Sequence, residues 1–118
     1  MKTKLINLTQ KTLLAKKVRY CNQFWSRLRG LLGTKQLGPE ETCWIIPCNT
    51  IHTFGMRYPI DVYFLNRENK VIAIKKNLKP SRISPLYWKT YSVLEFKSGS
   101  PRSCKVGDRL TLEADPGK

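Results

Sequence analysis

Residues 60–78 read IDVYFLNRENKVIAIKKNL. Ile60 to Asn66 and Val71 to Leu78 are runs rich in β-branched and aromatic side chains, which suit a pleated, half-buried surface. The NRENK link between them is polar and turn-forming. The two runs are therefore expected to fold back on each other as a hairpin. Toward the C-terminus, Pro80 to Trp88 holds two prolines and reads as a loop. Ser92 to Lys97 (SVLEFK) is a further strand, SGSPRS and KVGD are turns, and Arg109 to Glu113 is a closing strand. The tail ADPGK reads as frayed.

Toward the N-terminus, Cys43 to Pro47 is a short apolar run. Lys2 to Thr9 (KTKLINLT) alternates in polarity, and Leu13 to Tyr20 (LLAKKVRY) reads as its hairpin partner across Thr9–Lys11. The segment NQFWSRLRGLLG, residues 22–33, has a different period. Phe24, Trp25, Leu28, Leu31 and Leu32 fall on one stripe at helical spacing. Asn22 suits an N-cap and Gly33 a left-handed C-cap. Gly30 inside the helix costs about 1 kcal/mol relative to Ala. Together these elements predict an α+β, β-rich fold. It is expected as a curved antiparallel sheet or partly closed β-barrel with one main helix packed on it, residues 1–118 forming a single domain.

The 118 residues carry 22 Lys and Arg against 8 Asp and Glu, a formal net charge of +14. The first acidic residue is Glu40, preceded by Lys2, Lys4, Lys11, Lys16, Lys17, Arg19, Arg27, Arg29 and Lys35. A second basic stretch comprises Arg67, Lys70, Lys75, Lys76, Lys79 and Arg82, with Glu68 opposing it. Such a field attracts polyanions, so nucleic acid, an anionic lipid surface or an acidic protein is the expected kind of partner. Lysine on strand faces also keeps sheet edges unpaired, with no ligand involved. No segment is long enough and apolar enough to span a bilayer. Lys11 and Lys16–Lys17 interrupt any signal-peptide core, so a cytoplasmic location is expected. Cys21, Cys43, Cys48 and Cys104 are too irregular for a disulfide framework and are expected to be reduced.

The densest run of chemically able side chains is CWIIPCNTIHTFGMRYPID, residues 43–61, which includes His52, the single histidine. Cys43, Cys48 and His52 form a C-x4-C-x3-H series. It lacks the paired spacing of zinc knuckles and no second pair follows, so no metal site is expected. Cys48 with His52 has the residue types of a nucleophile and base, with Asp61 or Asn49 available to orient the imidazole. No oxyanion hole is visible beside them, and a buried, inert thiol is the commoner case. Asp61 enters a buried strand and needs a partner. Arg27, Arg29 or Arg57 is the expected one, in a clamp between helix and strand; alternatively Arg27 and Arg29 hold an anionic ligand. Trp25, Trp44, Phe54, Tyr58, Tyr63, Tyr87, Trp88 and Tyr91 are either core and loop packing or stacking surfaces beside the basic residues. Gly107–Asp108 reads as a turn and not a phosphate loop.

Four blocks occur in order: SRLRGLLG (26–33), PCNTIHTFGMRYPIDVYFLN (47–66), VLEF with the following SG, and VGD with Leu110. From about Arg27 to Leu110 they resemble the prokaryotic family catalogued as domain of unknown function 192. The resemblance implies a compact, β-rich α+β fold with no agreed biochemical role. The residues themselves lean toward a non-enzymatic, monomeric binding domain without a cofactor. Its ligand site is expected at Asn49, His52, Phe54, Met56 and Arg57, with Arg27 and Arg29, and its ligand is expected to be anionic. The first alternative is a cysteine/histidine-dependent enzyme using Cys48, His52 and Asp61. The second is salt-sensitive adhesion of nucleic acid or an anionic surface to the Lys70–Arg82 stretch.

Overall fold

The structure is a computed structural model and describes residues 3–21, 37–53, 58–99 and 102–114. Among these residues the chain is all β. The strands are β1 (Thr3–Asn7), β2 (Thr12–Ala15), β3 (Lys17–Cys21), β4 (Glu41–Ile45), β5 (Ile60–Leu65), β6 (Val71–Leu78), β7 (Ser92–Lys97) and β8 (Leu110–Ala114). They form two sheets, one ordered β2-β1-β8 and the other β3-β4-β7-β5-β6.

This corrects the α+β expectation of one curved antiparallel sheet or partly closed barrel under a main helix. The described residues contain no helix, the strands divide between two sheets, and neither sheet closes. The helix expected over 22–33 lies outside the described residues. The division has a local cause. Leu13 to Tyr20, expected as one strand, breaks at Lys16, where Lys16 N–H (2.8 Å) and Lys17 N–H (3.2 Å) both donate to the Glu40 carbonyl. Before the break, β2 pairs antiparallel with β1; after it, β3 pairs parallel with β4. The expected 60–78 hairpin is present as β5 and β6, and β5 also pairs antiparallel with β7.

All six residues of β5 are buried. A strand covered on one side alternates in burial; a strand covered on both sides reads as a continuous apolar run. One face of the five-stranded sheet carries Trp44, Tyr63, Leu65, Leu94 and Phe96, which pack with Leu5, Leu14 and Leu110 of the three-stranded sheet. The opposite face carries Ile45, Ile60, Val62, Phe64 and Val93. It packs with Ile51, Cys48 and Tyr87 from the loops 46–53 and 79–91. Those two loops therefore rest on a rigid apolar surface.

The KVGD turn ties the two sheets together. Gly107, at φ 100°, adopts a backbone conformation that side chains resist. Its N–H donates to the Val71 carbonyl at 2.8 Å, and Val71 N–H donates to the Asp108 carbonyl at 2.8 Å. The Asp108 carboxylate is buried. Its Oδ2 accepts from Asn7 Nδ2 (2.8 Å), Gln10 Nε2 (2.6 Å) and Lys105 N–H (3.0 Å). Burial alone would raise the Asp108 pKa. The hydrogen bonds from Asn7, Lys105 N–H and Gln10, with the Lys105 charge, outweigh it and hold the pKa below its ordinary value. The folded state therefore binds this proton more weakly than the unfolded chain. Its contribution is present above the unfolded pKa and is lost as pH falls through the folded one. Urea melts from pH 7 down to about pH 3 should show declining stability, and Asp108→Asn should decline less steeply; parallel curves would mean that Asp108 does not carry this dependence.

Candidate functional site

The loops 46–53 and 79–91 hold each other through a short antiparallel ladder. Thr53 N–H donates to the Arg82 carbonyl (2.7 Å), Ser81 N–H to the Thr53 carbonyl (3.1 Å), and Ser84 N–H to the Ile51 carbonyl (2.7 Å). Side chains complete it. Thr53 Oγ1 donates to the Lys79 carbonyl at 2.6 Å, and Ser84 Oγ accepts from Ile51 N–H at 2.9 Å. Ile51 and Thr53 are fully buried. Alternation along this extended segment puts His52 on the outer side, bridged to the exposed Ile83.

Cys48 N–H donates to the Tyr91 carbonyl at 2.8 Å, and Tyr91 N–H donates to the carbonyl of Leu65 at the end of β5, also at 2.8 Å. The Cys48 thiol donates to the Thr50 carbonyl at 3.1 Å and packs on the outer apolar face of the five-stranded sheet. These bonds open a recess of about 270 Å³ between Pro47–Asn49 and Thr90–Tyr91. A second, open recess, about 530 Å³, shares the Thr90–Tyr91 wall and is lined further by Asn66–Glu68 and Trp88–Lys89. The β5–β6 turn that forms its far wall is well braced: Asn66 Oδ1 accepts from Glu68 N–H (3.0 Å) and Lys70 N–H (2.9 Å). The Arg67 guanidinium carbon sits 4.2 Å from the centre of the Tyr91 ring, a cation–π contact. The Thr90 hydroxyl, on the shared wall, is buried and finds no hydrogen-bond partner among the described residues.

Asp61 lies elsewhere. It precedes Tyr63 by two residues and shares its face, the one toward the three-stranded sheet. Its Oδ2 takes Arg102 Nη1 at 3.0 Å and its Oδ1 takes Asn77 N–H at 2.9 Å. The partner is thus Arg102, and the clamp joins β5 to the segment between β7 and β8. Cys48 packs on the other face, so the structure does not bring Asp61 to Cys48 and His52. Two other polar groups share the Asp61 side. Tyr63 is pushed up to about 12, chiefly by burial and then by the neighbouring Cys104. Cys104 is likewise raised to about 12 by burial, with the Asp108 charge adding to it. Both stay protonated at neutral pH and offer no nucleophile there.

Asn49 and Cys48 therefore line a recess, and His52 stands on the adjoining ladder. Arg27, Arg29, Phe54, Met56 and Arg57 lie outside the described residues. Cys43 is buried within β4. Among the described residues no three His, Cys, Asp or Glu side chains gather as a metal set. None of these residues forms a helix long and apolar enough to cross a membrane. Reading the sequence alone missed the Thr90 wall and the way Arg67 stacks across to it. It also passed over Glu95, which is fully buried in β7 opposite Cys43 and Val62. The acid inside SVLEFK was the available signal.

Residues 5–112 match the family DUF192, described as an uncharacterized ACR. No curated protein matches. A solved protein of unknown function from Novosphingobium aromaticivorans is similar, with 20% identity and a TM-score of 0.68. The match covers 92% of this chain and 82% of that one. A putative transcription regulator from Sinorhizobium meliloti is also similar, with 21% identity and a TM-score of 0.66, over 93% of this chain and 91% of that one. At this level of identity both show the fold alone. The sequence match takes in every strand except the outer ends of β1 and β8, and by it the chain belongs to the DUF192 family.

Proposed function

We propose that this chain is a non-enzymatic binding domain for an anionic ligand, seated where the two recesses meet at Thr90 and Tyr91. The observation that carries the reading is the shared wall. It borders both recesses and carries a tyrosine ring under the Arg67 guanidinium. Asn49 adds an amide at one end and Lys89 a charge at the other. Such sites hold an anion by a few placed polar groups on a rigid frame. Catalysis by Cys48, His52 and Asp61 is less favoured, because Arg102 and Asn77 N–H already occupy the Asp61 carboxylate on the far side of the sheet.

The test is a two-dimensional amide NMR titration with sodium pyrophosphate, against sodium chloride at equal ionic strength. Saturable shifts at Cys48, Asn49, Thr90 and Tyr91 are expected, reduced about tenfold in apparent affinity by Arg67→Gln, since charge-assisted contacts contribute about 1.5–3 kcal/mol. Shifts that are absent, or scattered over the lysines and equal in chloride, sink the reading.

A further inference from the structure

We infer that the larger recess is a stacking site for single-stranded nucleic acid, with Trp88 as the base platform. This rests on the anion-binding reading above and names its ligand class. Trp88 is 87% exposed, whereas Trp44 and Tyr63 are buried in the core. An exposed indole offers a large, flat apolar face with a polar N–H, a combination enriched where proteins meet their partners. Its neighbours supply the complementary charge. Lys89 follows it directly, and Arg67 stands across the recess. Tyr91 has Arg67 over its ring, so Trp88 presents the open aromatic face.

Stacking plus a cationic groove is how single strands are held without reading their sequence. The recess is broad and open, about 530 Å³. A flat exposed ring in such a recess needs an unstacked base, which a duplex does not offer without being opened. The aromatic platform favours nucleic acid over an acidic peptide, because it gives carboxylate side chains nothing to stack. Glu68, also on the wall, repels a phosphate placed directly on it. The backbone is therefore expected to run along Lys89 and Arg67, away from that carboxylate.

The experiment is fluorescence anisotropy of the full chain with a labelled single-stranded oligothymidylate, a duplex of the same length and a polyglutamate peptide, over a salt series. The single strand should bind more tightly than the duplex and the peptide. Trp88→Ala should weaken it about tenfold, from about 1–3 kcal/mol per stacked base, with an unchanged melting temperature, and Trp88→Phe should restore most of the loss. Arg67→Gln should lower the magnitude of the salt slope by about 0.7, the counterion release for one single-strand phosphate. Equal binding of duplex and single strand with no effect of Trp88→Ala overturns the inference in favour of charge alone. Tighter binding of polyglutamate overturns it in favour of an acidic protein. If pyrophosphate shifts the Thr90–Tyr91 wall while the oligonucleotide fails to bind, the nucleic-acid inference falls and the anion site stands. If neither binds, both fall.

Discussion

Arg102→Ala is expected to lower the free energy of unfolding by about 3–5 kcal/mol, the loss typical when one partner of a buried ion pair is removed. The Arg102 and Asp61 side chains are 4% and 5% exposed, with Nη1 and Oδ2 3.0 Å apart. Arg102 Nη2 also donates to the Lys97 carbonyl at 3.0 Å, and the guanidinium carbon lies 4.1 Å from the centre of the Phe96 ring. Alanine would remove all three contacts. It would leave the Asp61 carboxylate buried with Asn77 N–H as its remaining donor among the contacts described. The cost comes mainly from that stranded charge, so the double variant Arg102→Met with Asp61→Leu should recover much of it. Urea denaturation of the two single variants and the double variant gives the coupling directly. A loss below about 1 kcal/mol for Arg102→Ala would place the pair with ordinary surface ion pairs.

The need for that clamp was legible in the sequence, but its partner was not. An aspartate leading into VYFL has to be compensated, and IDVYFL was legible as a strand, but its burial on both faces was not. Three arginines nearer in sequence were plausible partners. The one that reaches Asp61 is 41 residues away, brought there by the pairing of β5 with β7. The same limit applies to LLAKKVRY. Its local alternation continues through Lys16, and only the distant Glu40 carbonyl breaks it and sends β3 into the other sheet. A parallel pair such as β3–β4 has no local turn to announce it. At the candidate site, the 47–49 side was readable as a dense polar block. The Thr90–Tyr91 side was readable only as a loop with aromatics. Their meeting depends on two backbone hydrogen bonds, Cys48 to Tyr91 and Tyr91 to Leu65, that no side-chain pattern encodes.

Phe64→Ala is expected to cost about 3–5 kcal/mol, the range for emptying a fully buried phenylalanine position, and to disturb the recess as well. Phe64 is fully buried in β5, opposite Ala73 of β6 and Val93 of β7. Its ring centre lies 4.6 Å from that of Tyr87. Tyr87 accepts the Thr90 N–H at its carbonyl, 3.0 Å away, so the aromatic pair supports the turn that presents Trp88. Leu94→Ala is the matched comparison. Leu94 is also fully buried, but it faces the three-stranded sheet and belongs to the other apolar cluster. Both variants should lower the urea midpoint by similar amounts. Amide shifts at Trp88 to Tyr91 should move in Phe64→Ala and stay near their native positions in Leu94→Ala. Equal movement in both would show that the turn follows global stability, not the Phe64–Tyr87 contact. If the shifts divide as expected, the outer apolar face does more than close the core. It sets the angle at which the exposed Trp88 indole meets solvent, so core packing and ligand affinity rest on the same ring contact.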